Sequence, residues 1–170
     1  MSLDGLADLD AVAQAEMVRR REVTAVELVA AAIERIEALN PAVNAVIHTT
    51  FEQALAAAAA TPTGPLAGVP YLLKDLIIER ADDQFTEGSR FLAGTVSTFT
   101  SELALRLERA GLVVLGRTNS PEFGMAPACE PLLYGPTRNP WSLEHSTSGS
   151  SGGSAAAVAS GMVPMAHGND

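Results

Sequence analysis

The sequence predicts an α/β fold with a mixed, partly parallel central sheet flanked by helices, incomplete within these 170 residues. Three observations predict it. Segments with helical apolar spacing alternate with short apolar runs, and strands alternating with helices form a sheet that is at least partly parallel. The runs at residues 70–78 and 112–115 lack polar alternation, the pattern of strands buried on both faces. The composition, 47% hydrophobic and 18% charged, is that of a chain that packs a core.

Residues 10–20 carry apolar side chains at helical spacing. Thr24, followed three residues on by Glu27, is a capping-box pattern that opens the run Val26, Val29, Ile33, Ile36. That helix is expected to end near Asn40, because Pro41 disfavours helical backbone in the residue before it. Residues 44–48 read as a short strand, and residues 51–60 as an Ala-rich helix closed by the breakers at 61–65. The strand at 70–78 follows, then a helix at 101–110 closed by Gly111, then a second buried strand at 112–116. Residues 117–148 are dominated by Pro, Gly, Asn and Thr, and a loop of that length in a compact domain either builds a site or is disordered. Residues 152–160 read as a small-residue helix and residues 163–167 as a strand. No repeat or linker divides the chain, so no second domain is expected. The sequence stops directly after that last strand, where tails are usually polar and frayed; the expectation is a chain cut inside a domain.

The net charge of −9 and the lack of a basic stripe argue against a nucleic-acid partner. Cys129 is the only cysteine, so no internal disulfide forms, and a reducing compartment is expected. The first residues lack the basic and apolar regions of a signal peptide. The apolar runs at 54–60 and 155–163 are too short to span a bilayer. Together these predict a cytoplasmic protein without a membrane partner.

Two features point to chemistry. The first is the run from Thr147 to Ser154, Thr-Ser-Gly-Ser-Ser-Gly-Gly-Ser, whose glycines permit close backbone approach and whose serines supply hydroxyls beside a helix N-terminus. The plain alternative is a flexible linker. Against it stand Arg138-Asn139-Pro140-Trp141 upstream and the packed-looking Ala-rich helix downstream. No lysine follows the glycines, so the run is not a P-loop. It matches G-x-S-x-G, the nucleophile elbow of α/β-hydrolases, with Ser151 as nucleophile. An elbow follows a strand directly, however, and residues 141–148 are polar; His167 follows without an acid in the expected order.

The second feature is Lys74, the only lysine in the chain, set among Leu72, Leu73 and Leu76. A lysine commonly snorkels out of a strand end or pairs with a neighbour such as Asp75. Burial instead disfavours the ammonium form and makes the amine a candidate general base. A base needs a hydroxyl to deprotonate, and the serine cluster offers one. The remaining candidates read as structural. His48, His145 and His167 lack metal spacing. Cys129 reads as a buried inert thiol. Arg138 reads as a tie for the long loop, and Asp75 and Glu122 as structural partners rather than acids.

Four blocks in order carry a resemblance. Gly68-Val69-Pro70-Tyr71-Leu72-Leu73-Lys74-Asp75 resembles the lysine motif of the amidase signature family. Gly116-Arg117-Thr118-Asn119-Ser120-Pro121-Glu122-Phe123-Gly124 resembles its G-K-T-N-x-x-E-F block. Tyr134-Gly135-Pro136-Thr137-Arg138-Asn139-Pro140-Trp141 and the stretch from Gly149 to Ala159 resemble the signature proper. The resemblance implies a Ser-Ser-Lys triad in which Lys74 is the base and Ser150, held on a cis Gly149–Ser150 peptide, relays the proton. Gly149, Ser151, Gly152 and Gly153 would support them. The family's nucleophile lies in a D-x-G-G-S-type stretch, whose aspartate Asp170 matches, so the attacking serine is expected beyond this chain. Two departures stand out. The family usually has two glycines before the serine pair, and here the first is Ser148. The ending His167-Gly168-Asn169-Asp170 replaces the commoner G-T-D and resembles a branch that includes an amidase acting on cyclic nylon oligomers.

The resemblance further implies a single amidase domain, with residues 1–64 a mainly helical lead-in and residues 65–170 the start of the catalytic core. The implied activity is hydrolysis of a small-molecule carboxylic amide through an acyl-enzyme, with no metal or organic cofactor. A homodimer of the full-length enzyme is among the expectations. One alternative is the glutaminase component of a tRNA-dependent amidotransferase, its A subunit, which releases ammonia from glutamine. Another is a non-catalytic folding or binding fragment. The 170-residue chain alone is expected to be inactive and marginally folded.

Overall fold

Helix starts form where the sequence places polar caps. The computed structural model describes residues 3–169, so Asp170 lies outside the described residues. Asp10 accepts a hydrogen bond from the Ala13 N–H at 2.8 Å and opens α1 (Ala11–Arg19). Thr24 opens α2 (Ala25–Val43) with the reciprocal box: its Oγ1 accepts from the Glu27 N–H, and Glu27 Oε2 accepts from the Thr24 N–H. The buried stripe of α2 is Ala25, Leu28, Val29, Ala32 and Ile36, while Val26, read as part of that face, is exposed.

The expected stop at Asn40 is not where α2 ends. The helix runs through Pro41 to Val43. Pro41, in the last turn, has no N–H to give the helix, which loses that bond. Just beyond, the Asn40 carboxamide accepts from the N–H groups of Ala45 and Val46 and donates to the Val46 carbonyl, each at 2.8 Å. Asn44, at φ 54°, closes the helix in the left-handed conformation.

Three strands form the main sheet in the order β1 (Val46–Thr49), β3 (Val113–Thr118), β2 (Pro70–Lys74). β1 runs antiparallel and β2 parallel to the central β3, which makes the sheet mixed, as expected. Every residue of β2 and β3 is buried. Successive side chains point to opposite faces. Leu72, Val113 and Leu115 join the core under α2, α3 (Phe51–Ala59) and α5 (Gly152–Ala159), while Tyr71, Leu73 and Val114 join Ala15 of α1 and Ala104 of α4 (Glu102–Arg109). Two covered faces explain the unbroken apolar runs.

Three expectations need correction. The strand expected over 70–78 stops at Lys74: Ile77 turns left-handed at φ 54° and is exposed. The Asp75 N–H still donates to the Thr118 carbonyl of β3 at 3.1 Å, while its carboxylate accepts from the Thr86 and Gly88 N–H groups and the Thr86 hydroxyl. Residues 163–167 form only a single parallel bridge, Ala166 to Leu72, with the His167 N–H on the Leu72 carbonyl at 2.8 Å. Pro164 has no N–H to give a ladder. The long loop contains an antiparallel hairpin, β4 (Arg138–Asn139) with β5 (Ser142–Ser146). Among the described residues no helix is long and apolar enough to cross a membrane.

Candidate active site

The end of β2 delivers Lys74 to the N-terminus of α5. Its side chain is fully buried. The oxygens at Nζ include Ser150 Oγ at 2.6 Å, Ser151 Oγ at 3.0 Å, Asn169 Oδ1 at 2.6 Å and the Asn169 carbonyl at 2.9 Å. Lys74 therefore neither snorkels to solvent nor turns toward Asp75, whose carboxylate is held by Thr86 and Gly88. Lysine and serine pair are separated by more than seventy residues of sequence, and the sheet brings them together.

The serine-rich run is not a linker. Ser150, Gly152, Gly153 and Ser154 are buried, and the Gly149–Ser150 peptide is cis. Ser148, where the family usually has glycine, takes φ 59°, the left-handed conformation that glycine adopts without steric cost. The glycines that follow serve close packing. A Cβ on Gly152 would stand 2.4 Å from Thr147 Oγ1, and one on Gly153 2.4 Å from the Asn119 carbonyl oxygen. Ser154 Oγ lies 2.6 Å from both the His167 carbonyl and Thr118 Oγ1, tying α5 to β3 and to the last segment.

A cleft of about 260 Å³ opens on this cluster, lined by residues 147–152, Ala155 and Asn169. Larger cavities of about 410 and 430 Å³ lie elsewhere, and neither is lined by Lys74 or the serine pair. Reacting groups, not volume, identify the candidate site.

The elbow reading finds no support around Ser151. Its Oγ donates to the Asn169 carbonyl at 2.8 Å and accepts from the Asn169 N–H at 3.2 Å, while His167 presents its backbone carbonyl to Ser154. Burial, and then the nearby Lys74 charge, hold His167 below the usual histidine range. Cys129 is buried with its thiol pushed up by desolvation, as an inert thiol should be. Glu122 accepts from Ser89 Oγ at 2.6 Å, and Arg138 donates to the Leu143 carbonyl across the hairpin. His48 donates to or accepts from Tyr134 OH, which also meets Thr86 Oγ1. Among the described residues no group of three or more His, Cys, Asp or Glu could hold a metal ion.

Two residues escaped the sequence reading. Asn169 places two oxygens on Lys74; its only signal was the departure from G-T-D. Arg117, buried at the family's usual lysine position, donates to the Ile78 carbonyl at 2.8 Å and stands over the Phe85 ring. Nothing in its spacing foretold that role.

Comparisons with known proteins bear on family and fold. The amidase family model matches residues 27–170. The chain is 46% identical over 163 residues to the 6-aminohexanoate-cyclic-dimer hydrolase of Paenarthrobacter ureafaciens, covering 95% of this chain and 33% of that protein. It is 43% identical over 168 residues to the A subunit of the glutamyl-tRNA(Gln) amidotransferase of Acidothermus cellulolyticus, covering 94% of this chain and 33% of that protein. A solved structure of 6-aminohexanoate cyclic dimer hydrolase superimposes with a TM-score of 0.93 at 46% identity, over 97% of this chain and 34% of that one. The chain thus spans about a third of the length of the relatives it matches. On motif order, fold and family match, the chain belongs to the amidase signature family.

Proposed function

We propose that the full-length protein is a serine amidase that hydrolyses the C–N bond of linear or cyclic carboxylic amides. The observation that carries this reading is the buried Lys74 amine 2.6 Å from Ser150 Oγ. In the proposed cycle neutral Lys74 takes the Ser150 proton while Ser150 takes the proton of the attacking serine. The attacking serine oxygen bonds to the amide carbon. The lysine proton then returns through Ser150 to the leaving nitrogen as the C–N bond breaks. Water hydrolyses the resulting ester by the same relay. The attacking serine is assigned to sequence outside these 170 residues, after a stretch that begins with Asp170, and the cycle needs no cofactor. The 170-residue chain alone is therefore a partial amidase domain without turnover. The lone buried Cys129 is in keeping with a cytoplasmic location.

Fluorophosphonate labelling of the full-length protein, mapped by peptide mass spectrometry, tests the reading. The expected adduct lies on a serine beyond Asp170 and disappears in Lys74→Ala. An adduct on Ser151, or labelling that survives Lys74→Ala, would refute it. The likeness to the glutamyl-tRNA(Gln) amidotransferase chain supports a second reading, glutamine hydrolysis that supplies ammonia. Glutaminase activity that requires partner proteins and charged tRNA would select it.

A further inference from the structure

We propose that Asn169 is a positioning residue that aims the lone pair of the Lys74 amine at Ser150; the inference rests on the Ser-Ser-Lys reading above. Asn169 holds Nζ with two oxygens at once, its carbonyl at 2.9 Å and its Oδ1 at 2.6 Å. The carboxamide orientation follows from its other end. Nδ2 lies 3.1 Å from the Leu76 carbonyl, which can only accept, so Oδ1 faces the amine.

The proton count gives this contact its meaning. A neutral amine has two N–H bonds and one lone pair, and an ammonium has no lone pair. Both Asn169 oxygens are pure acceptors. When they take the two N–H bonds, the lone pair is left for a hydroxyl. Of the two nearby hydroxyls, Ser151 spends its proton on the Asn169 carbonyl at 2.8 Å. Ser150, at 2.6 Å, is the one whose proton points to the lone pair. Asn169 thus selects both the direction of the base and the serine that it serves. A threonine at this position would bring a hydroxyl able to donate to the lone pair itself, which a carboxamide oxygen cannot do.

Among the described residues, titratable groups near the amine include its chain neighbour and groups from two other segments. Asp75 follows it on the chain and turns its carboxylate to Thr86 and Gly88. His167 lies in the last segment and Cys129 in the long loop, each close enough to feel the Lys74 charge.

The test uses the full-length protein and the pH dependence of its fluorophosphonate labelling rate, which needs no knowledge of the substrate. In Asn169→Asp a carboxylate beside the amine favours the ammonium, so the acid limb of the profile moves up by about 1–3 pH units. In Asn169→Leu the plateau rate falls at least about tenfold with the loss of a hydrogen bond to a charge-bearing group. Its acid limb moves down, because the ammonium loses an acceptor. The position of a limb is independent of the folded fraction, so Asn169→Asp remains informative where Asn169→Leu folds poorly. Unshifted limbs in both variants, with or without a uniform loss of rate, would mark a merely structural role and overturn the inference. If Lys74→Ala is silent in the same assay, that failure belongs to Asn169 alone; if Lys74→Ala labels normally, the Ser-Ser-Lys reading fails with it.

Discussion

Gly153→Ala tests whether α5 is seated as closely as the site requires. A Cβ at this position would lie 2.4 Å from the Asn119 carbonyl oxygen and 2.5 Å from its nitrogen, where ordinary contact is 3.4–4 Å. The obstacle is backbone, and it is pinned: the Asn119 N–H donates to the Ala45 carbonyl at 2.8 Å, and its side chain donates to the Gly135 carbonyl. Relief therefore requires α5 to withdraw by roughly 1 Å. Two terms oppose each other. Alanine gains about 1 kcal/mol of helix propensity over glycine, and overpacking against fixed atoms costs about 1–3 kcal/mol. Because the contact is with main chain, the upper part of that cost applies, and a net loss of up to roughly 2 kcal/mol is expected. The functional effect is larger. A shift of that size moves Ser150 off Lys74, and a displacement of about 1 Å can cost about 100-fold in rate. Urea unfolding and amide turnover of the full-length variant measure the two effects separately. Wild-type stability together with wild-type turnover would refute the packing argument.

Two further perturbations probe the frame around the site. Leu115→Ala removes a fully buried side chain from the central strand and should lower unfolding free energy by about 2–5 kcal/mol, read as a lower urea midpoint. His167 is held below its ordinary value by burial, so the unfolded chain binds its proton first as pH falls. The stability this neutral form contributes is present above the unfolded value of 6.5 and is lost as pH falls through the lower folded value. His167→Gln should flatten the decline in urea midpoint between about pH 7.5 and about pH 5; an unchanged slope would assign that decline to other groups.

Much of the frame was legible in the chain. The cap pair Thr24–Glu27 acts within three residues, so its geometry is written locally. The unbroken apolar runs of β2 and β3 announce double burial for the same reason, since strand period and side-chain type are local properties. Where single-residue rules failed, contacts beyond the adjacent residues accompany the departure. Pro41 stays within α2 while Asn40 bonds to Ala45 and Val46 just past the helix end, and the strand stops after Lys74 where the Asp75 carboxylate turns to residues 86 and 88. The hairpin at 138–146 has strands of two and five residues with mostly exposed side chains, too short and too polar for a period to register.

The candidate site divides along the same line. The sequence by itself determined which residues have chemistry to offer: a solitary lysine in an apolar setting, and a pair of serines between glycines ahead of a small-residue helix. Only the tertiary structure decided how they meet. Parallel pairing of β2 with β3 and the packing of α5 on Asn119 place Lys74 against Ser150, and the segment after α5 brings Asn169 onto the amine from ninety-five residues away. The reason is one of range. Side-chain chemistry, caps and period are set by neighbours in sequence, whereas a hydrogen bond of 2.6 Å between distant residues exists only once the sheet and its covering helices have fixed both ends.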